Sequence, residues 1–382
     1  MSDQTITADG YQFGQGKGVE WPIQFFLAAA GIFFLVYQSI GWVGWLADGP
    51  VQLTQYRDKD TVSWYLCRVY EGLAILTFVT LGPVVVREAI KARRLTFDLM
   101  YCITTISIYW IDPLANFFAP NFLFSQNWVN LADWTAYLPG IQNPDAGRIG
   151  EPVLFNGLNY ATGWLSFAMM MCAAMRLIER SFPRVNKAGL IATAVGLGMC
   201  VDFLLELPCY YFEMWAFPGS PEIGLWANTP HKFPVTELLA GGIMFGLSAG
   251  MRYFRDEQGR SWVERGMDHY PEWKRAVLAQ LSMIGIFSAA YLLVNAMYCY
   301  VALFSAPYQQ MTPHILNAVC DAPGYENTVY GPCPGSEGWK LPLPGALAAP
   351  PPFNDDRWLN GPTQCENCAP VVIPEQYRHL QE

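Results

Sequence analysis

The residues of this chain best placed to do chemistry are carboxylates set inside apolar sequence. Asp202, Glu206 and Glu213 interrupt the otherwise greasy segment that runs through Cys200, Val201, Phe203, Leu204 and Leu205. At about 100° per residue, Asp202 and Glu206 are one helical turn apart and Glu213 two turns further on. A straight helix would hold all three within about 40° of one face, subject to a kink at Pro208. Four further apolar stretches carry polar groups of the same kind: Arg68 with Glu71 three residues on, Asp112 before Pro113 with Asn116, Glu237, and Asn295 between Tyr291 and Tyr298. In a low-dielectric setting, a neutral carboxyl beside an ionised one is an acid/base pair. Such a pair protonates a leaving hydroxyl and accepts the proton of an attacking one.

Other chemistries lack a signature. The four histidines, His231, His269, His314 and His379, are scattered, and no H-E-x-x-H, Walker or dinucleotide motif is visible. No metal site and no cofactor are therefore expected. A net charge of −9 argues against a nucleic-acid partner.

The elements that position these groups are membrane helices. Only 14% of the 382 residues are charged and 52% are hydrophobic, against about 25% charged in soluble domains. Seven apolar runs are long enough to read as spans: Pro22–Ala47, Trp64–Arg87, Phe97–Phe118, Asn156–Arg176, Gly189–Phe217, Phe233–Tyr253 and Ala276–Phe304. The first lacks a basic flank and exceeds a signal-peptide core, so it reads as a true span. The expected fold is an all-α integral membrane protein, a bundle of about seven transmembrane helices. Residues 1–20 form an N-terminal segment, 21–306 the transmembrane domain, and 307–382 an irregular, extracytoplasmic, Pro- and Cys-containing tail. The loops after spans two, four and six hold 14 of the 23 basic residues, all on one side of a seven-span chain. That side is cytoplasmic by the positive-inside rule. It predicts a multi-pass protein of the cell membrane with its N-terminus in the cytoplasm and its C-terminus outside.

This topology brings the polar groups of five spans into the outer half of the bundle, under a long aromatic loop, Ala119–Phe155. Arg68 is the obvious intramembrane cation for Asp112, Asp202, Glu206, Glu213 and Glu237, so part of that set is expected to carry protons. Structural roles compete with this reading. Arg68 and Glu71 can simply pair, Asp112 can cap a broken helix, and Glu237 can be a first-turn acid. On the functional reading, Asp202, Glu206 and Asp112 are catalytic. Arg68, Glu71, Asn116, Trp134, Tyr210, Glu213, Glu237 and Asn295 then line a substrate site, and the bilayer and a lipophilic small molecule are the partners. The oligomeric state is left open.

Cys67, Cys102, Cys172, Cys200, Cys209 and Cys299 fall within spans and read as small buried hydrophobes. Cys320, Cys333, Cys365 and Cys368 lie in the outer tail, where disulfides are favoured over a zinc site. Their pairing is not readable from the sequence.

The stretch Tyr109-Trp110-Ile111-Asp112-Pro113-Leu114-Ala115-Asn116-Phe117-Phe118, the later Asn127-Trp128, and Asp202-x-x-x-Glu206 followed by Tyr210–Phe212 resemble the AveC-like spirocyclase family. The resemblance covers spans one to seven and leaves the tail after about Pro307 unmatched. It implies closure of a dihydroxyketone polyketide to a spiroketal, with dehydration in some members, as part of secondary metabolism. Under it, Asp202 and Glu206 are the acid/base pair and Asp112 activates a hydroxyl. Glu71, Arg68, Asn116 and Glu237 set protonation and position. Two alternatives stand beside it. One is a transporter or lipid-binding protein using the acids as a relay; the other is a structural subunit whose acids meet partner helices.

Overall fold

Helix boundaries follow local capping chemistry. In the computed structural model, residues 23–50, 52–53, 57–143, 146, 149–218, 223–227, 229–303 and 312–316 are described. Helix α1 spans Ile23–Asp48. Helix α2, Val62–Ala92, starts where the Thr61 hydroxyl accepts the Trp64 N–H and stops at Arg93, which turns left-handed at φ 51°. Helix α3, Phe97–Ile108, is capped by Thr96. It then tightens into a 3-10 helix over Tyr109–Asn116. The change falls where it should: Pro113 supplies no N–H to the Tyr109 carbonyl four residues back, and its ring crowds that group. Helix α4, Val153–Leu158, passes through a π turn at Asn159–Gly163 into α5, Trp164–Ser181. Asn186 caps α6, Lys187–Tyr211. Helices α7 (Val235–Tyr253), α8 (Glu272–Leu303) and the short α9 (Pro313–Leu316) follow.

Among the described residues, five helical segments are long and apolar enough to cross a membrane: Ile23–Asp48, Val62–Ala92, Val153–Ser181, Lys187–Tyr211 and Glu272–Cys299. Their outward faces carry apolar side chains such as Phe26, Phe33, Val36 and Val43, each exposed by 60% or more. Such continuous greasy surface suits lipid better than water. The two remaining expected spans differ from their apolar runs. The α3 segment is an α-helix for only 12 residues before the Pro113-induced change. Helix α7 has 19 residues, with Glu237 and Arg252 at its ends and Gly241, Gly242, Gly246 and Gly250 diluting its hydropathy.

Small residues let helices approach closely. A β-carbon on Gly31 of α1 would collide with the Leu281 carbonyl of α8, and one on Gly285 of α8 would collide with the Leu27 carbonyl. Ser282 donates to the Gln24 carbonyl at 2.7 Å across the same seam. The α6–α7 seam is built likewise, with Gly198 against Gly241 and Gly242.

The long loop between α3 and α4 is folded as a roof rather than left irregular. Its short strands are β1 (Leu123–Phe124), β2 (Leu131–Ala132) and β3 (Gly150–Glu151), and the chain adds β4 (Trp215–Ala216) after α6. Strand β1 pairs antiparallel with β4, and β2 with β3. A third pair joins β5 (Gly224–Leu225) to β6 (Phe233–Pro234). Trp128 and Trp134 are buried beneath the roof, donating to the Met214 and Trp110 carbonyls at 2.8 and 3.0 Å.

Of the span cysteines, Cys67, Cys172 and Cys209 are buried, Cys102 and Cys299 half-buried, and Cys200 exposed; all six are free thiols. Cys200 thus departs from the expected burial, because its helix face points away from the bundle. The tail cysteines Cys320, Cys333, Cys365 and Cys368 lie outside the described residues.

Candidate active site

Under the roof, between α2, α5, α6, α7 and α8, lies a cavity of about 330 Å³. That is ample for a small organic molecule. Its walls are largely aromatic, with Phe122 and Phe124 from the roof, Phe155 from α4, Trp215 and Phe217 after α6, and Trp164 and Phe245 from α5 and α7. Four carboxyls face it: Asp112, Asp202, Glu206 and Glu237. Among the described residues no lysine or arginine lines it.

The first polar pole joins α6 to α7. Asp202 and Glu206 project one turn apart from α6, and Glu237 reaches them from the first turn of α7. Each offers a carboxylate oxygen, and these lie within 4.8 Å of one another. Glu237 also accepts a hydrogen bond from Tyr298 of α8 at 2.7 Å. One Asp202 oxygen, Oδ2, is buried without a hydrogen-bond partner. Three carboxylates this close need protons or a bound cation. The set can ligate a hard divalent ion through oxygen. The sequence did not suggest this, because the third ligand comes from a different helix.

The second pole gathers around Asp112. Its Oδ1 accepts hydrogen bonds from the Tyr160 and Tyr291 hydroxyls, each at 2.6 Å, and its Oδ2 accepts from Asn156 Nδ2 at 3.0 Å. The Tyr160 and Tyr291 hydroxyls also contact each other. The same Asn156 amide donates to Glu151 at 2.8 Å, and Tyr109 donates to Glu151 at 2.9 Å. Glu151 sits in β3 of the roof, 1% exposed. Burial drives its carboxyl well above the usual glutamate range, and the neighbouring Asp112 charge pushes the same way. Tyr291 and Tyr298 are seven residues apart on one face of α8, so the poles are about 10 Å apart along that helix.

All three residues expected to be catalytic, Asp112, Asp202 and Glu206, line the cavity, as does Glu237. The other expected substrate contacts do not. Arg68 donates to Glu71 at 2.9 Å and to the Asn127 carbonyl at 2.6 Å, while Glu71 accepts the Val129 N–H at 2.7 Å. These two residues bolt the roof to α2. Asn116 Oδ1 accepts the N–H groups of Asn121 and Phe122 at 2.7 and 2.8 Å, folding the start of the roof. Trp134 packs edge-on against Trp42, Trp45 and Tyr109. Tyr210 is buried between Phe217 and Phe233. Asn295 donates to the Tyr291 carbonyl at 3.1 Å, bracing α8 from within.

Glu213 leaves the face of Asp202 and Glu206 altogether. Helix α6 ends at Tyr211, and Glu213 turns left-handed at φ 54°. Its carboxylate accepts from Thr312 at 2.6 Å and lies 3.6 Å from His314 and 3.9 Å from His231. It anchors the segment after α8 to the end of α6. Glu151, Asn156 and Tyr160 were missed as site residues. Glu151 lay in a segment read as loop, and Asn156 and Tyr160 stood at the start of span four as neutral residues that carry no charge signal.

The chain belongs to the AveC-like spirocyclase family: the model described as Spirocyclase AveC-like matches residues 92–320. The match takes in the roof, both polar poles and the segment after α8, and leaves out α1 and nearly all of α2. It therefore starts later and runs further than the resemblance read from the sequence. Membership suggests a cyclase- or dehydratase-type role. No curated protein and no solved structure matches the chain.

Proposed function

We propose that this protein is a cofactor-independent acid/base cyclase, of spirocyclase or dehydratase type, acting on a lipophilic oxygenated substrate of polyketide or terpenoid kind within the membrane. The observation that carries the reading is the placement of Asp202, Glu206 and Glu237 together on the wall of a roofed aromatic cavity. In this scheme a carboxylic acid of the Asp202–Glu206 pair protonates a hemiketal hydroxyl. The C–O bond breaks and water leaves. The remaining carboxylate stabilises the oxocarbenium ion, as paired carboxyls do in glycoside chemistry. A second substrate hydroxyl attacks the cationic carbon and gives its proton to a carboxylate, with Asp112 oriented for that role by Tyr160 and Tyr291. The balance is loss of one water. Glu237, held by Tyr298, sets the protonation of the pair. The aromatic walls keep bulk water from competing for the cation.

The same reading takes the α3 segment with its 3-10 extension, and α7, as the two further spans of a seven-helix bundle. The N-terminus is placed in the cytoplasm and the roof outside. Tyr70 on α2 donates to the Leu205 carbonyl of α6 at 2.9 Å, beside Leu73 of the cavity wall, which is 54% exposed. The exposure of a cavity-wall residue on α2 supports entry from the lipid.

Mass spectrometry of lipophilic extracts from cells with and without the protein tests the function. Loss of the protein should make one compound accumulate and a product lighter by one water disappear. If all compounds persist and only their distribution across the membrane changes, the carboxyls serve transport instead.

A further inference from the structure

We infer that Glu151 and Asp112 form a second carboxyl pair that shares a single proton, with Glu151 the positioning residue that sets the protonation of Asp112. Its use in turnover rests on the acid/base reading above; the proton sharing itself does not.

The geometry is specific. One amide nitrogen, Asn156 Nδ2, donates to both carboxyls at 2.8 and 3.0 Å, so the two acids are held together by a neutral clamp. The groups facing Glu151 are Tyr109 and Asp112 of the 3-10 helix, Asn156 of α4 and Asp133 of the roof. Those facing Asp112 are Tyr160, Tyr291, Asn156 and Glu151. None is a cation. Two buried carboxylates so close, with no counter-ion among the described residues, do not both ionise. Nor does either need to be fully neutral, since tyrosine hydroxyls and an amide surround the pair with donors to one negative charge. One proton for two carboxyls satisfies both demands.

Asp112 faces the cavity and Glu151 lies behind it, outside the lining. The pair begins with one proton. When Asp112 takes the proton of an attacking hydroxyl, that O–H bond breaks and each carboxyl then holds one proton. Release of one proton from this pair, balanced by uptake of one at the Asp202–Glu206 pair that protonated the leaving hydroxyl, resets both. Glu151 thus lets Asp112 act as a base while a proton is stored behind it. This makes the roof part of the chemistry as well as a cover.

Infrared difference titration of the full chain in lipid nanodiscs reads protonated carboxyls through their C=O stretch and needs no substrate. Glu151→Gln and Asp112→Asn should each remove one protonated-carboxyl band at neutral pH. The double variant should remove no more than either alone, and Asp202→Asn should leave that band in place. Losses that add up to two bands, or no loss in either single variant, would overturn the shared proton. If Glu151→Gln does not fold, Glu151→Asp keeps the carboxyl and should shift the band rather than delete it; an unmoved band there also counts against the pair. Once a substrate is in hand, Glu151→Gln should move the pH profile of kcat with KM changed by less than about twofold. An unmoved profile with an altered band would retain the pair and remove its catalytic use.

Discussion

The Asp202 carboxyl lies against the backbone of Gly241, in the space a β-carbon there would occupy. The α6–α7 seam therefore fixes the position of a site carboxyl, and Gly241 is tied to the site although it has no side chain. Gly241→Ala would ordinarily favour a helix by about 1 kcal/mol. Here it should push Asp202 aside and cut turnover tenfold or more while the protein stays folded. Conversion in isolated membranes, set beside a thermal melt, checks this; full activity would show that Asp202 has room to move.

Asp202→Asn and Glu206→Gln should each lower kcat by about 10²- to 10⁴-fold, the usual contribution of a positioned acid or base. Glu237→Gln should fall in the same range. Size-exclusion profiles of all three in detergent should match the parent. Retained turnover in both Asp202→Asn and Glu206→Gln would refute the assignment of the pair.

Glu71→Ala leaves the Val129 N–H and the Arg68 guanidinium short of an acceptor under the roof. The expected cost is about 1–3 kcal/mol, the penalty for orphaning a buried donor. It should appear as faster limited proteolysis between residues 117 and 152. KM should change more than kcat, because neither Arg68 nor Glu71 lines the cavity.

Stability should also depend on pH through Glu151. Burial, reinforced by Asp112, raises its folded value above the unfolded one of about 4.3. The folded state therefore binds that proton more tightly. The stabilisation is complete below the ordinary glutamate range and is lost as pH climbs through the raised folded value. Melting temperatures should fall on the alkaline side, and Glu151→Gln should flatten that slope. An identical slope in the variant would place the pH dependence elsewhere.

Orientation has its own check. After reduction, an impermeant thiol reagent should reach Cys320, Cys333, Cys365 and Cys368 only from the outer face. Labelling from the cytoplasmic side would invert the bundle and place the roof in the cytoplasm.

What was legible in the sequence was whatever one helix alone determines. Asp202 and Glu206 share a face of α6 because four residues make about one turn. Asp112 precedes the proline that breaks its helix. Glu213 was misplaced because the two-turn spacing from Glu206 holds only while the helix continues, and α6 ends at Tyr211. Arg68, Glu71 and Asn116 looked like site residues because a charge or amide in apolar sequence advertises need without naming its partner. Apart from the Arg68–Glu71 pair itself, their partners are backbone groups of the roof, which carry no residue identity. Glu151 stayed hidden for the converse reason. It came from a long loop between spans, where an acid is unremarkable until folding buries it.

Tyr291 and Tyr298 hold the two carboxyl poles from a single helix, and α8 is locked to α1 by the glycine contacts at Gly31 and Gly285. A shift of α8 carries both tyrosines the same way and leaves their spacing unchanged. The helix acts as a caliper: the two tyrosines are its jaws, and under the proposed chemistry the reach between reacting oxygens that a substrate must match is set by seven residues of backbone.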